Sequence, residues 1–130
     1  IQQKNPTKNT PAVIEDGGKR LNSDAKQLNA WAKLGFEPYP GTFNLRMNGP
    51  EWEAARRVMA QESGIPITPE AGFCAARCFH VVIAGSITGA VVFPEVAGYP
   101  SDKFEVISAV PIRQALGMKD GDAVAVSVIC

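Results

Sequence analysis

Along the 130-residue chain the apolar positions change period about halfway. The opening stretch IQQKNPTKNTP, residues 1–11, is polar and without period, and reads as a loose N-terminal arm. From Ser23 to Leu34, Leu28, Trp31 and Leu34 recur at helical spacing behind an N-cap candidate, Ser23 or Asp24. That pattern predicts a short helix, stopped by Gly35 and kept from resuming by Pro38 and Pro40. A second helix is predicted over residues 50–63. Pro50 suits its first position, Glu51 and Glu53 suit the positive end of its dipole, Trp52, Ala55, Val58 and Met59 form the stripe, and Gly64 ends it.

Further on the apolar residues form strand-like runs: FHVVIAG, GAVVFP, KFEVISAV and DAVAVSVI. PIRQALGM between the last two predicts a helical turn or two from Pro111 to Gly117, and the Asp-Gly of KDGD predicts a tight turn. Strands and short helices without a βαβ rhythm predict one mainly β domain over residues 1–130, a small barrel carrying helices.

Thirteen basic and thirteen acidic residues cancel, so the whole-domain attraction that drives most nucleic-acid binding is missing. No apolar run approaches the roughly 20 residues of a membrane-spanning helix, and no signal-peptide pattern opens the chain, so a soluble cytoplasmic protein is expected. Cys74, Cys78 and Cys130 are odd in number, and with His80 they fall short of a zinc set. Buried thiols and a packed or capping His80 are expected instead. Arg56 and Arg57 fall on the polar flank of the second helix, which favours a solvated face over a phosphate site. No Walker loop, GxGxxG, nucleophile elbow or metalloprotease helix is present.

LGFEPYPGTFNLRM, residues 34–47, resembles the GFxPYxGTxN signature of the archaeal-type CTP-dependent riboflavin kinases. YPSDKFEVISAVPIRQALGMKDGDAVAVSV, residues 99–128, looks like the C-terminal segment of the same family, and GAVVFP like the strand before its Tyr-Pro turn. The resemblance implies a mainly β fold, a six-stranded cradle-loop (riboflavin-kinase-like) barrel decorated by two or three helices. It also implies transfer of the terminal phosphate of CTP to riboflavin, giving FMN, with magnesium. On the family's pattern the metal falls to Thr42 and Asn44. In extended chain, residues two apart point to one side, so a hydroxyl and an amide oxygen could share one hard cation. Glu105 matches the flavin-contacting carboxylate, and Val110, Pro111, Ile112 and Arg113 match the segment lining the nucleotide base. A plain Pro-Gly turn at 40–44, a surface Glu105 and a solvated Arg113 are the competing structural readings.

The chain also departs from the pattern. Where the family has a GxGxG phosphate loop, VIEDGGKRL keeps only Gly17 and Gly18, with Lys19 beside them as the remaining nucleotide-binding candidates, and Glu15 and Asp16 add charge that repels phosphate. The family's flavin-contacting Thr falls on Ala97. Two other readings therefore stay open: a flavin- or nucleotide-binding barrel without turnover, and a nucleic-acid-binding or assembly domain, which the zero net charge disfavours.

Overall fold

The computed structural model describes residues 9–15, 32–67, 76–95 and 97–129. Seven strands carry the fold: β1 Thr10–Glu15, β2 Phe43–Met47, β3 Ile65–Ile67, β4 Ala76–Ile83, β5 Ile87–Pro94, β6 Lys103–Ile107 and β7 Ala123–Ile129. Two α-helices interrupt them, α1 Pro50–Ala60 and α2 Ile112–Leu116, and a 3₁₀ turn spans Ala32–Leu34. The strand order is β3-β4-β5-β6-β2-β1-β7, and β7 also pairs with β4. Six strands therefore close into an antiparallel barrel, as expected, and β3 is an appendage on β4 beside the β7 pairing.

The alternation of each strand sorts its side chains between two cores. Ile14, Phe43, Leu45, Phe104, Val106, Val124, Val126 and Val128 fill the barrel. On the outer side of β4–β6, Cys78, Ala90, Val92 and Ile107 form a second cluster with Leu34, Phe36, Ile65 and Ile67. Burial on both faces explains why the β5 stretch GAVVFP reads as an unbroken apolar run.

Helix α1 leaves β2 through Gly49, whose φ of 91° suits a residue without Cβ, and starts on Pro50. Trp52, Ala55 and Met59 join the barrel core at the end where β2 finishes. The Trp52 ring stands edge-on to Phe104 at 4.9 Å.

Several boundaries differ from the sequence reading. Thr10 and Pro11 belong to β1 and not to a loose arm: Thr10 is buried, and Pro11 is tolerated because pairing with β2 begins only at Ala12. Val58 is 44% exposed, off the stripe made by Trp52, Ala55 and Met59. Strand β3 was not foreseen, since it is three residues long with Pro66 at its centre. The helix predicted from Ser23 lies outside the described residues except for the 3₁₀ turn at its end. Among the described residues no helix is long and apolar enough to cross a membrane.

Candidate functional site

The signature turn is held at the end of the barrel opposite α1. The Tyr39 amide donates to the Ser108 carbonyl at 2.7 Å, tying the Pro-Tyr-Pro-Gly turn to the end of β6. Pro38 beneath it is buried. Fixed φ at two prolines and this backbone bond bring residues 42–44 into β2 with little freedom left to lose. Phe43 then points into the barrel, and Thr42 and Asn44 share the other side.

The Thr42 hydroxyl donates to Asn44 Oδ1 at 3.4 Å. Two oxygens shared by one six-coordinate magnesium stand about 3 Å apart, so this pair fits two adjacent positions of such an ion. Both are neutral, and a strong site needs anionic ligands from elsewhere. Asn44 is only 4% exposed.

Across the β2–β6 ladder Asn44 lies opposite Glu105, and across β1–β2 it lies opposite Glu15. Cross-strand partners share a face, so the row Glu15–Asn44–Glu105 runs along the outside of the barrel. The Glu105 carboxylate is buried and has Lys103 Nζ at 3.3 Å. Beside it Tyr99 has its phenol held above the usual tyrosine range, first by burial and then by the charge of Glu105. The Glu15 carboxylate bonds Arg46 Nε at 2.6 Å, so a guanidinium stands beside its charge.

Val110, Pro111, Ile112 and Arg113 line one cavity of about 210 Å³ together with Tyr39, Thr42 and Val106. Thr42 and the whole of the 110–113 segment are thus brought together. Ser108, which sequence reading missed, shapes that wall: its hydroxyl donates to the Thr88 carbonyl at 2.8 Å and accepts from the Val110 amide at 3.4 Å. Gly89 lets β6 come this close, because a Cβ there would stand 2.6 Å from the Ile107 carbonyl oxygen.

The Arg113 side chain is half-exposed and has two partners. Its guanidinium pairs with Asp120 and donates from Nη2 to the Glu15 carbonyl at 3.2 Å. Gly17, Gly18 and Lys19 lie outside the described residues, as does Asp16. Arg113, which lines the 210 Å³ cavity, holds the carbonyl of Glu15, the last residue of β1. Ala97 sits exposed in the β5–β6 connection and offers no hydroxyl.

The remaining candidates behave as structural groups. His80 Nε2 lies 2.9 Å from the Leu34 carbonyl, capping the 3₁₀ turn. Cys78 is fully buried, and its thiol is pushed up to about 12 by desolvation. Cys74 and Cys130 lie outside the described residues. Among those described, no cluster of His, Cys, Asp and Glu could hold a metal by itself.

Residues 17–128 match the sequence model of a CTP-dependent riboflavin kinase family, described as a domain of unknown function, DUF120. The chain is 46% identical over 101 residues to a riboflavin kinase of Archaeoglobus fulgidus, covering 75% of this chain and 42% of that protein. It is 39% identical over 100 residues to the riboflavin kinase of Methanococcoides burtonii, covering 74% and 44%. With that of Pyrobaculum arsenaticum it shares 38% over 104 residues, covering 75% and 47%. The chain spans less than half the length of these relatives.

Proposed function

The chain belongs to the CTP-dependent riboflavin kinase family, and from that membership we propose that it transfers the terminal phosphate of CTP to riboflavin, giving FMN. The observation that carries the reading is the juxtaposition of three polar side chains on one face. Thr42 and Asn44 have their oxygens 3.4 Å apart, and Glu105 stands opposite Asn44. Phosphoryl transfer asks a protein mainly for alignment and charge neutralisation; such a row supplies alignment, and a metal ion held by it would supply the neutralisation.

In this reading Thr42 and Asn44 would hold magnesium, with nucleotide phosphates as the anionic ligands that two neutral oxygens need. When bound, the ion neutralises charge on the transferred group. Val110, Pro111 and Ile112 pack the pyrimidine in the 210 Å³ cavity. Glu105 accepts hydrogen bonds from hydroxyls of the acceptor chain, with Lys103 Nζ 3.3 Å from its carboxylate. Arg113 acts by holding the end of β1 through the Glu15 carbonyl.

The test is incubation with riboflavin and magnesium and, in turn, CTP, ATP, GTP and UTP, followed by chromatography for FMN. FMN with CTP in preference to the others supports the reading. No FMN with any donor overturns it and leaves a binding barrel without turnover, which the missing hydroxyl at Ala97 would suit.

A further inference from the structure

Among the described residues three large apolar side chains are exposed: Tyr39, Val58 and Val110. Val58 stands on α1, whereas Tyr39 and Val110 both line the cavity of about 210 Å³. Apolar groups that face one concave space suit a small ligand with a flat apolar face. Tyr39 and Val110 belong to no strand or helix, so regular backbone pairing fixes neither of them.

Ser108 holds both. It follows the last residue of β6 and is buried. Its carbonyl accepts from the Tyr39 amide at 2.7 Å, and its hydroxyl accepts from the Val110 amide at 3.4 Å. The hydroxyl proton goes to the Thr88 carbonyl at 2.8 Å, which orients the side chain and leaves its lone pairs for Val110. Register pairing between β5 and β6 stops at Ala90 and Ile107. The bond from Ser108 to Thr88 therefore carries the contact with β5 past the end of the ladder, where the chain turns away toward α2. Gly89 leaves room for it, since a Cβ there would stand 3.3 Å from the Ser108 side chain.

One residue thus anchors two walls of the cavity by different means. The Tyr39 wall hangs on its main chain and is indifferent to the side chain. The Val110 wall hangs on the hydroxyl. An alanine at this position would keep the first bond and release only the second.

We propose that Ser108 is a positioning residue for the nucleotide donor: it sets Val110 against Tyr39, so that a single pyrimidine ring is gripped between them. This rests on the kinase reading above, which puts the base in this cavity. With its hydroxyl engaged by Thr88 and Val110, Ser108 acts on the donor through Val110. Glu105, on the acceptor side, is three residues back along β6 and lies outside its reach.

Ser108→Ala, Ser108→Cys, Val110→Ala and the double variant Ser108→Ala with Val110→Ala test the role, with thermal melts to check folding. Calorimetry measures CTP with magnesium, quenching of riboflavin fluorescence measures the acceptor, and steady-state assays give kcat and KM. Ser108→Ala should weaken CTP binding and raise the KM for CTP about tenfold, with riboflavin affinity and kcat unchanged. Ser108→Cys, which keeps a weaker donor and acceptor, should fall between it and the wild type. Both changes loosen the same wall, so the double variant should bind CTP about as weakly as the weaker single one. Unchanged CTP affinity in folded Ser108→Ala overturns the proposal, and where that variant does not fold, unchanged affinity in Ser108→Cys does so. Equal losses for CTP and riboflavin, or losses that simply add in the double variant, would make Ser108 a general structural residue and also overturn it. So does a wild type that binds riboflavin and no CTP. CTP bound by the wild type and weakened in Ser108→Ala, with no FMN from any donor, would sink the kinase reading and leave the positioning role standing.

Discussion

Asn44 faces Glu105 directly across the β2–β6 ladder, with the Asn44 amide oxygen 3.4 Å from the Thr42 hydroxyl and the Glu105 carboxylate next to Lys103. One ladder position thus joins the proposed metal side of the reaction to its acceptor side. Neither side chain is large, and both are almost fully buried, so their spacing is set by the sheet and not by flexible loops.

Removal of the amide should separate chemistry from folding. Asn44→Ala is expected to lower kcat/KM for FMN formation on the order of 100-fold or more, since a ligand position matters at least as much as its supporting groups. The stability loss should stay within about 2 kcal/mol, the range for one buried polar partner. Steady-state kinetics at several magnesium concentrations, beside a urea titration, measure both. Full activity in the variant would remove Asn44 from the site.

Arg113 makes two contacts in different directions, to Asp120 and to the Glu15 carbonyl. The ion pair is half-exposed and contributes little by itself. A lysine keeps the charge and cannot fork to both acceptors. Arg113→Lys should therefore melt close to the wild type yet raise the KM for CTP about tenfold, because the strand leading to Gly17 loses its anchor. An unchanged KM in Arg113→Lys would refute a positioning role.

The barrel was legible because alternation is a local property: Phe104 and Val106 announce their shared face within one strand, as do Val124, Val126 and Val128. Thr42, Asn44 and Glu105 are proposed through motif resemblance, and spacing alone does not choose them over a plain turn. What stayed hidden depends on contacts between distant segments. Ser108 bonds back to Thr88, Arg113 reaches Glu15, and Tyr99 sits by Glu105 only because the β5–β6 connection folds over β6. Strand β3 was illegible for the opposite reason: three residues around Pro66 carry too little pattern, and β4 supplies the ladder that makes them a strand.

Gly89 offers a check on the wall of the 210 Å³ cavity. A methyl group there would press to 2.6 Å from the Ile107 carbonyl oxygen, a backbone atom that cannot swing aside. Gly89→Ala should cost about 2–3 kcal/mol through overpacking. At Gly41 the corresponding Cβ meets only the Tyr39 ring at 3.4 Å, so Gly41→Ala should change stability by less than about 1 kcal/mol. Urea midpoints of the two variants compare them directly, and equal losses would contradict the close approach of β5 and β6.

The phenol of Tyr99 reports on Glu105 without any ligand present. Burial and the neighbouring carboxylate both disfavour the phenolate, so its pKa lies above the unfolded value. An acid whose folded pKa is raised stabilises the fold below its unfolded pKa, about 10 for tyrosine, and that stability is lost as pH rises beyond it. Phenolate absorbance should therefore show a late ionisation, which Tyr99→Phe removes. Glu105→Gln removes the charge and keeps the shape. The late step should then move to lower pH, and the loss of stability on alkaline titration should begin at the same place but level off sooner. If the late step does not move in Glu105→Gln, the two side chains are not coupled, and the place given to Tyr99 beside the Asn44–Glu105 row fails with them.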